Sequence, residues 1–147
     1  MQVVKKDEGG MFFLHAYRGT GKTYIWRTLA SSLRVNNHIV IMVASSGITS
    51  LLLLGGRTAH SKFKIPVPIF EDSTCNMLQG TQLAELLNQT KLIIWDEAPM
   101  AHKFCFEALD QSLKDIIKET KNPNQIFGGK VIVYGGDFQQ ILPVIPR

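Results

Sequence analysis

Apolar residues along this chain gather into dense runs separated by stretches in which they recur at helical spacing. The runs are Met11 to Leu14, His38 to Ala44 (HIVIMVA), Lys91 to Glu97 (KLIIWDE) and Lys130 to Gly136 (KVIVYGG). Their length and their β-branched and aromatic content predict strands, and MFFL reads as a buried one. Between the first two, Ile25, Leu29 and Leu33, with Ala30 beside them, form a stripe that predicts a helix after Lys22. SSGITSLLLLGG predicts a turn, a short apolar helix and a stop at Gly55-Gly56. TQLAELLNQT predicts a compact helix, and HKFCFEALDQSLKDIIKET a longer one with Phe106, Leu109, Leu113 and Ile116 on its apolar face. In that helix Asp110 precedes Lys114 at the stabilising spacing, and the charges read as a solvated face. KIPVPIF is extended, because Pro66 and Pro68 rule out a helix. Continuous apolar strands alternating with helices imply an α/β domain, a parallel sheet covered on both faces.

At 147 residues and 45% hydrophobic content the chain is the size of one domain with one real core. Cys75 and Cys105 have neither C-x-x-C spacing nor a histidine arrangement that suggests zinc, so they read as reduced, buried small hydrophobes. Lys5 and Lys6 ahead of MFFLHAY imitate a signal peptide, but the apolar run is short, carries His15 and has no small-residue cleavage pattern. No run approaches the length of a membrane span. A net charge of +4 permits an anionic partner without demanding one.

In a parallel sheet ligands gather at the carboxyl ends of the strands. There the chain carries GTGKT after the first run, SSGITS after the second, Asp96-Glu97 at the end of the third and GGDFQQ after the fourth. FFLHAYRGTGKTYIW nearly matches G-x-x-x-x-G-K-[ST], with Ala16 in place of the first glycine, and has the strand before and the helix after that the pattern requires. Residue 16 is expected to continue the strand, where alanine costs almost nothing; a left-handed backbone there is the alternative and would cost about 1–2 kcal/mol. Arg18 adds a positive charge to the loop. Gly19, Thr20 and Gly21 can bring backbone N–H groups against phosphates at a helix N-terminus. Lys22 neutralises the β- and γ-phosphates, and the Thr23 hydroxyl coordinates magnesium. Asp96 is placed to hold that magnesium, and Glu97 to take a proton from the attacking water. The plainer alternative, a solvated turn pair, is an odd end for a buried LIIW strand.

RGTGKT, ASSGITSLLLLGGRTAHS, LIIWDEAPM and GGDFQQILPVI together resemble the Pif-type superfamily-one DNA helicases, including their plant and Helitron-associated branch, over almost the whole chain. The resemblance implies a P-loop NTPase of RecA-like fold, with the fourth run lying between the first and third in the sheet. It implies an enzyme that uses ATP and Mg2+ to move 5′-to-3′ on DNA in recombination, repair and telomere maintenance. By this match Lys22 and Thr23 belong to the family's first motif, Asp96 and Glu97 to its second, and Gln140 to the GDxxQ element that senses the γ-phosphate. Ser45, Ser46 and Gly47, with Thr58 and His60, match segments that touch single-stranded DNA in the family; a structural role for His60 is the equal alternative. Ala16, Arg18 and Gln139 depart from the family's usual glycines and arginine.

Arg57, Lys62 and Lys64 flank Phe63, a combination that suits phosphate tracking with base stacking. A charged surface loop around a buried phenylalanine is the alternative. His15, His38 and His102 read as structural, Trp26 and Trp95 as core aromatics, and Asp137 as a cap or turn. The expectation is a single, truncated N-terminal RecA-like domain over residues 1–147, with the second RecA-like domain and its arginine fingers absent. Its expected partners are ATP and single-stranded DNA, with no membrane, in an intracellular compartment: the nucleus, or alternatively the mitochondrion. Two other readings stand beside this one: a non-catalytic remnant that binds nucleotide or single-stranded DNA, and an unrelated P-loop enzyme such as a small-molecule kinase. The kinase accounts for neither WDEAPM nor GDFQQ.

Overall fold

The computed structural model describes residues 10–15, 22–51, 56–117 and 126–136. Within them β1 (Gly10–His15), β2 (Ile39–Ala44), β3 (Arg57–Thr58), β4 (Thr90–Asp96) and β5 (Val131–Gly136) form one sheet in the order β1-β5-β4-β2-β3. Every pairing is parallel. The helices are α1 (Lys22–Val35), α2 (Gly47–Ser50), α3 (Ala59–Phe63), α4 (Gln82–Gln89) and α5 (Lys103–Ile116). The expected strands form close to their predicted limits, and the last lies between the first and third as the resemblance implies. β3 is an addition with no apolar run behind it: Arg57 and Thr58 simply pair with Val43 and Ala44.

Side chains alternate across a strand, and this alternation builds two cores. Val40, Met42, Leu92 and Ile94 face one side of the sheet, where Trp26, Ala30 and Leu33 of α1 cover them. Ile41, Val43, Ile93 and Trp95 face the other, under Phe63 of α3, Leu87 of α4 and Leu109 and Leu113 of α5. Helices therefore lie on both faces, and β2 and β4 are almost continuously apolar because both of their faces are covered. Among the described residues no helix is long and apolar enough to cross a membrane.

Three details differ from the sequence reading. Among the described residues β1 is an edge strand rather than a buried one, bonded only to β5, and Met11, Phe12 and Phe13 are exposed, Phe13 at 62%. The α1 stripe is turned by one residue: Trp26, Ala30 and Leu33 are buried while Ile25 is exposed. The larger apolar surface of the indole takes the central place, above Gly135 of β5, where no side chain stands in its way. Asp110 is more than part of a solvated face. One of its carboxylate oxygens pairs with Lys114 at 3.0 Å, and the other accepts the Phe127 backbone N–H at 2.6 Å. That second bond holds Phe127 at φ 52 with its ring in the core.

Other expectations hold for the described residues, while the expected stop at Gly55-Gly56 and the end of HKFCFEALDQSLKDIIKET involve residues 52–55 and 118–120, which lie outside them. Thr81 caps α4 by accepting the Ala84 N–H at 3.2 Å, and His102 caps α5 by accepting the Phe104 N–H at 3.0 Å. The proline-containing segment after α3 forms no helix. It is tied down by the Ser112 hydroxyl, which accepts the Cys75 N–H at 2.8 Å, and by Lys64 O, which accepts the Asn76 N–H at 2.9 Å. Both cysteines are free and buried. Burial disfavours the thiolate, pushing Cys75 up to about 11 and raising Cys105 above the usual thiol range.

A Cβ added at Gly135 would lie well inside contact distance of the Trp26 indole. Gly135→Ala is therefore expected to lift α1 from the sheet and cost about 1–3 kcal/mol, the usual range for overpacking a filled core. Denaturant unfolding measures this, and a variant as stable as the parent would show that α1 is not seated on Gly135.

Candidate functional site

The register of the sheet brings the carboxyl ends of its strands to one level. Ala44 pairs with Asp96, Trp95 with Tyr134, and Gly135 and Gly136 with Leu14 and His15. β1 is thus two strand spacings from β4, roughly 10 Å, with only glycines at the end of β5 between them. Lys22 and Thr23 are the first residues of α1, the helix that follows β1. Arg18, Gly19, Thr20, Gly21 and Gln140, like Ala16, Asp137 and Gln139, lie outside the described residues.

β4 ends in a buried acid, Asp96 at 2% exposure, followed by the half-buried Glu97. Glu97 adopts φ 55, a left-handed conformation that costs a residue with a Cβ roughly 1–2 kcal/mol. Three hydrogen bonds hold it there. Its N–H donates to Asp96 Oδ1 at 2.8 Å, its carbonyl accepts the Met100 N–H at 3.0 Å, and its Oε1 accepts the Ser46 hydroxyl at 2.6 Å. Strain maintained in this way is characteristic of functional positions.

The loop after β2 supplies the matching half. Ser45 donates its N–H to Asp96 O at 3.1 Å, and its hydroxyl accepts the Trp95 indole N–H at 3.0 Å. Ser46 caps α2, its Oγ accepting the Thr49 N–H at 3.2 Å while donating to Glu97. Two consecutive serines are therefore stitched to the consecutive Trp95, Asp96 and Glu97. Gly47, next along, is exposed, and a Cβ there would meet nothing within 4 Å.

The candidates for nucleic-acid contact divide. Arg57 and Lys64 are exposed and Lys62 half-buried. Thr58 caps α3, accepting the Ser61 N–H at 3.1 Å, and His60 Nε2 stands 3.9 Å from Cys105 Sγ, which favours a structural role for the ring. Phe63 does not stack on a ligand. It is 0% exposed, with its ring centroid 6.0 Å from that of Trp95, because α3 turns this residue into the core while its charged neighbours stay outside. The structure thus brings together Ser45, Ser46, Asp96 and Glu97, and it removes Phe63 from the surface.

Gly135 and Gly136 are positioning residues that the motif reading passed over. Gly135 seats Trp26 and hence α1; Gly136 has φ 152, and a Cβ on it would collide with Pro99. Their signal was a glycine pair closing an apolar strand beside two others with polar ends.

Five parallel strands in this order, with helices on both faces and acids at the carboxyl edge, define a RecA-like domain. The chain belongs to the PIF1-like helicase family, whose model matches residues 1–147. It is similar to the ATP-dependent DNA helicase Pif1 of Campylobacter jejuni, 32% identical over 140 residues that make up 90% of this chain and 29% of that protein. It is also similar to the ATP-dependent DNA helicase PIF4 of Trypanosoma brucei brucei, 29% identical over 139 residues, 92% of this chain and 17% of that protein. Among solved structures it resembles the Pif1 helicase from Bacteroides in complex with ADP-AlF3 and single-stranded DNA. The TM-score is 0.75 at 27% identity, covering 94% of this chain and 30% of that one. The Pif1 helicase from Candida albicans gives a TM-score of 0.64 at 25% identity, covering 93% of this chain and 31% of that one. This chain therefore spans less than a third of the length of these relatives.

Burial separates the two halves of the basic cluster. Phe63→Ala is expected to cost about 3–5 kcal/mol as a core truncation, and Arg57→Ala at most about 0.5 kcal/mol as a surface change. Denaturant unfolding of both variants checks the contrast, and a stable Phe63→Ala would return that ring to the candidate surface.

Proposed function

We propose that these residues are the nucleotide-hydrolysing motor domain of an ATP-dependent DNA helicase that works 5′-to-3′ on single-stranded DNA. What supports the reading is the acid pair at the end of β4: a buried Asp96, and a Glu97 held in a strained conformation by Ser46, on the sheet edge where α1 begins with Lys22. The nucleotide-bound and DNA-bound Bacteroides relatives support the ligands.

In this reading the backbone N–H groups of Gly19, Thr20 and Gly21, with Lys22, bind the phosphates, Arg18 adds positive charge, and Gln140 senses the γ-phosphate. The donor set suits a hard divalent cation: the hydroxyl of Thr23 and the carboxylate of Asp96 are the oxygen ligands magnesium prefers. Bound magnesium would neutralise charge on the phosphate oxygens. Glu97 accepts a proton from water as the water oxygen bonds to the γ-phosphorus and the bond to the β,γ-bridging oxygen breaks, releasing ADP and phosphate. Ser45, Ser46, Gly47 and Thr58, with Arg57, Lys62 and Lys64, follow the strand. The roles in recombination, repair and telomere maintenance, and a nuclear or mitochondrial compartment, belong to the same proposal and rest on the resemblance.

Nucleotide titration and single-turnover hydrolysis test the chemistry. Lys22→Ala is expected to weaken Mg-ATP binding strongly, and Glu97→Gln to spare binding while erasing turnover. Turnover by the 147 residues alone is expected to be slow, since an arginine finger supplied by a second RecA-like domain is worth roughly 10³–10⁵ in rate. Equal nucleotide affinities for the parent and Lys22→Ala would exclude the proposed site.

Salt titration tests the strand path. Replacing Arg57, Lys62 and Lys64 by Gln is expected to lower affinity for oligo-dT and to flatten the log–log salt slope by about 0.7 for each phosphate that is no longer neutralised. An unchanged slope would make the three residues ordinary surface.

A further inference from the structure

The Ser46 hydroxyl has one proton to donate, and it donates that proton to Glu97 Oε1 across 2.6 Å. Its bond from the Thr49 N–H is an accepted one and leaves the proton uninvolved. Ser46 also belongs to the β2 loop that the proposed function lays against DNA, and that loop opens outward. Gly47 has free space beside it, and Ile48 and Leu51 are exposed. With a strand bound as proposed, one hydroxyl would have two anionic acceptors, the carboxylate of Glu97 and a phosphate of the strand. A single proton cannot serve both.

We infer that Ser46 is a positioning residue that couples strand binding to Glu97. Its hydroxyl restrains the carboxylate while no strand is bound and turns to a backbone phosphate when one arrives. The inference rests on the proposed function, which gives both acceptors their roles. Hydrogen bonds with an ionised partner are the stronger class, so neither acceptor yields the proton without loss. Linkage makes the effect mutual: whatever frees Ser46 from Glu97 strengthens its hold on DNA. The neighbouring bonds do not take part in the exchange. Ser45 N–H to Asp96 O is a main-chain bond, and the Trp95 indole that donates to Ser45 Oγ is fully buried. They keep the ends of β2 and β4 together while the Ser46 proton changes acceptor.

Oligo-dT affinity, read by fluorescence anisotropy, tests this in the parent chain, Ser46→Ala, Glu97→Ala and the double variant. Glu97→Ala removes the competing acceptor and is expected to tighten binding on the order of tenfold when Ser46 is present. In the Ser46→Ala background only the loss of a negative charge remains, and the gain is expected to be much smaller. Ser46→Thr keeps both hydroxyl and cap and is expected to restore the full response to Glu97→Ala. Ser46→Gly, which retains most of the N-cap, is expected to behave as Ser46→Ala, separating removal of the hydroxyl from removal of the cap. An equal effect of Glu97→Ala with and without Ser46 overturns the coupling and leaves the proposed function standing. Absence of oligo-dT binding by the parent overturns the DNA contact itself, and the coupling with it.

Discussion

Parallel pairing constrains this molecule more than any other feature. When every strand runs the same way, the chain must cross from the end of one to the beginning of the next, and every outgoing turn falls on the same edge. Ala44 beside Asp96 and His15 beside Gly136 are the direct result. Residues far apart in sequence become neighbours without any attraction of their own. The polar groups that cannot enter a doubly covered sheet collect where the strands stop.

Given that edge, two kinds of contact determine its detail. One is steric: Trp26 on Gly135 sets the seating of α1, and Pro99 against Gly136 sets the turn after Asp96. The other is directional: Ser45 and Ser46 bind the residues at the end of β4 through main-chain and side-chain bonds. The first kind places backbone; the second orients a carboxylate. A single left-handed residue, Glu97, sits where they meet, and its strain is supported from both sides.

The central strands β2 and β4 were legible because burial on both faces makes them apolar at nearly every position; MFFL carries the same pattern at an exposed edge, so its strand was legible but its place was not. Two of the short elements were not legible. β3 has two residues and α3 five, too few for either to show a period, and they exist because Thr58 caps a turn that lets Phe63 reach Trp95. That is also why Phe63 misled: a phenylalanine between lysines looks the same in sequence whether the helix turns it in or out. Asp96 and Glu97 could be read from their place after LIIW. The Ser46 bond to Glu97 could not, since it joins residues 51 positions apart whose approach depends on the β2–β4 register. Among the described residues the candidate site is therefore recognisable by its residue types in the sequence, while its wiring appears only in three dimensions.

The chain has two tryptophans, both fully buried, and their indole nitrogens are in opposite situations. Trp95 donates to Ser45, one residue from the loop's contact with Glu97, whereas the Trp26 nitrogen has no hydrogen-bond partner among the described residues. Indole emission moves to the red when the ring nitrogen is hydrogen-bonded in a polar setting and stays blue in a dry one. The two rings thus lie on opposite faces of the sheet in different settings, and of the two only Trp95 is joined by its nitrogen to the β2 loop among the described residues.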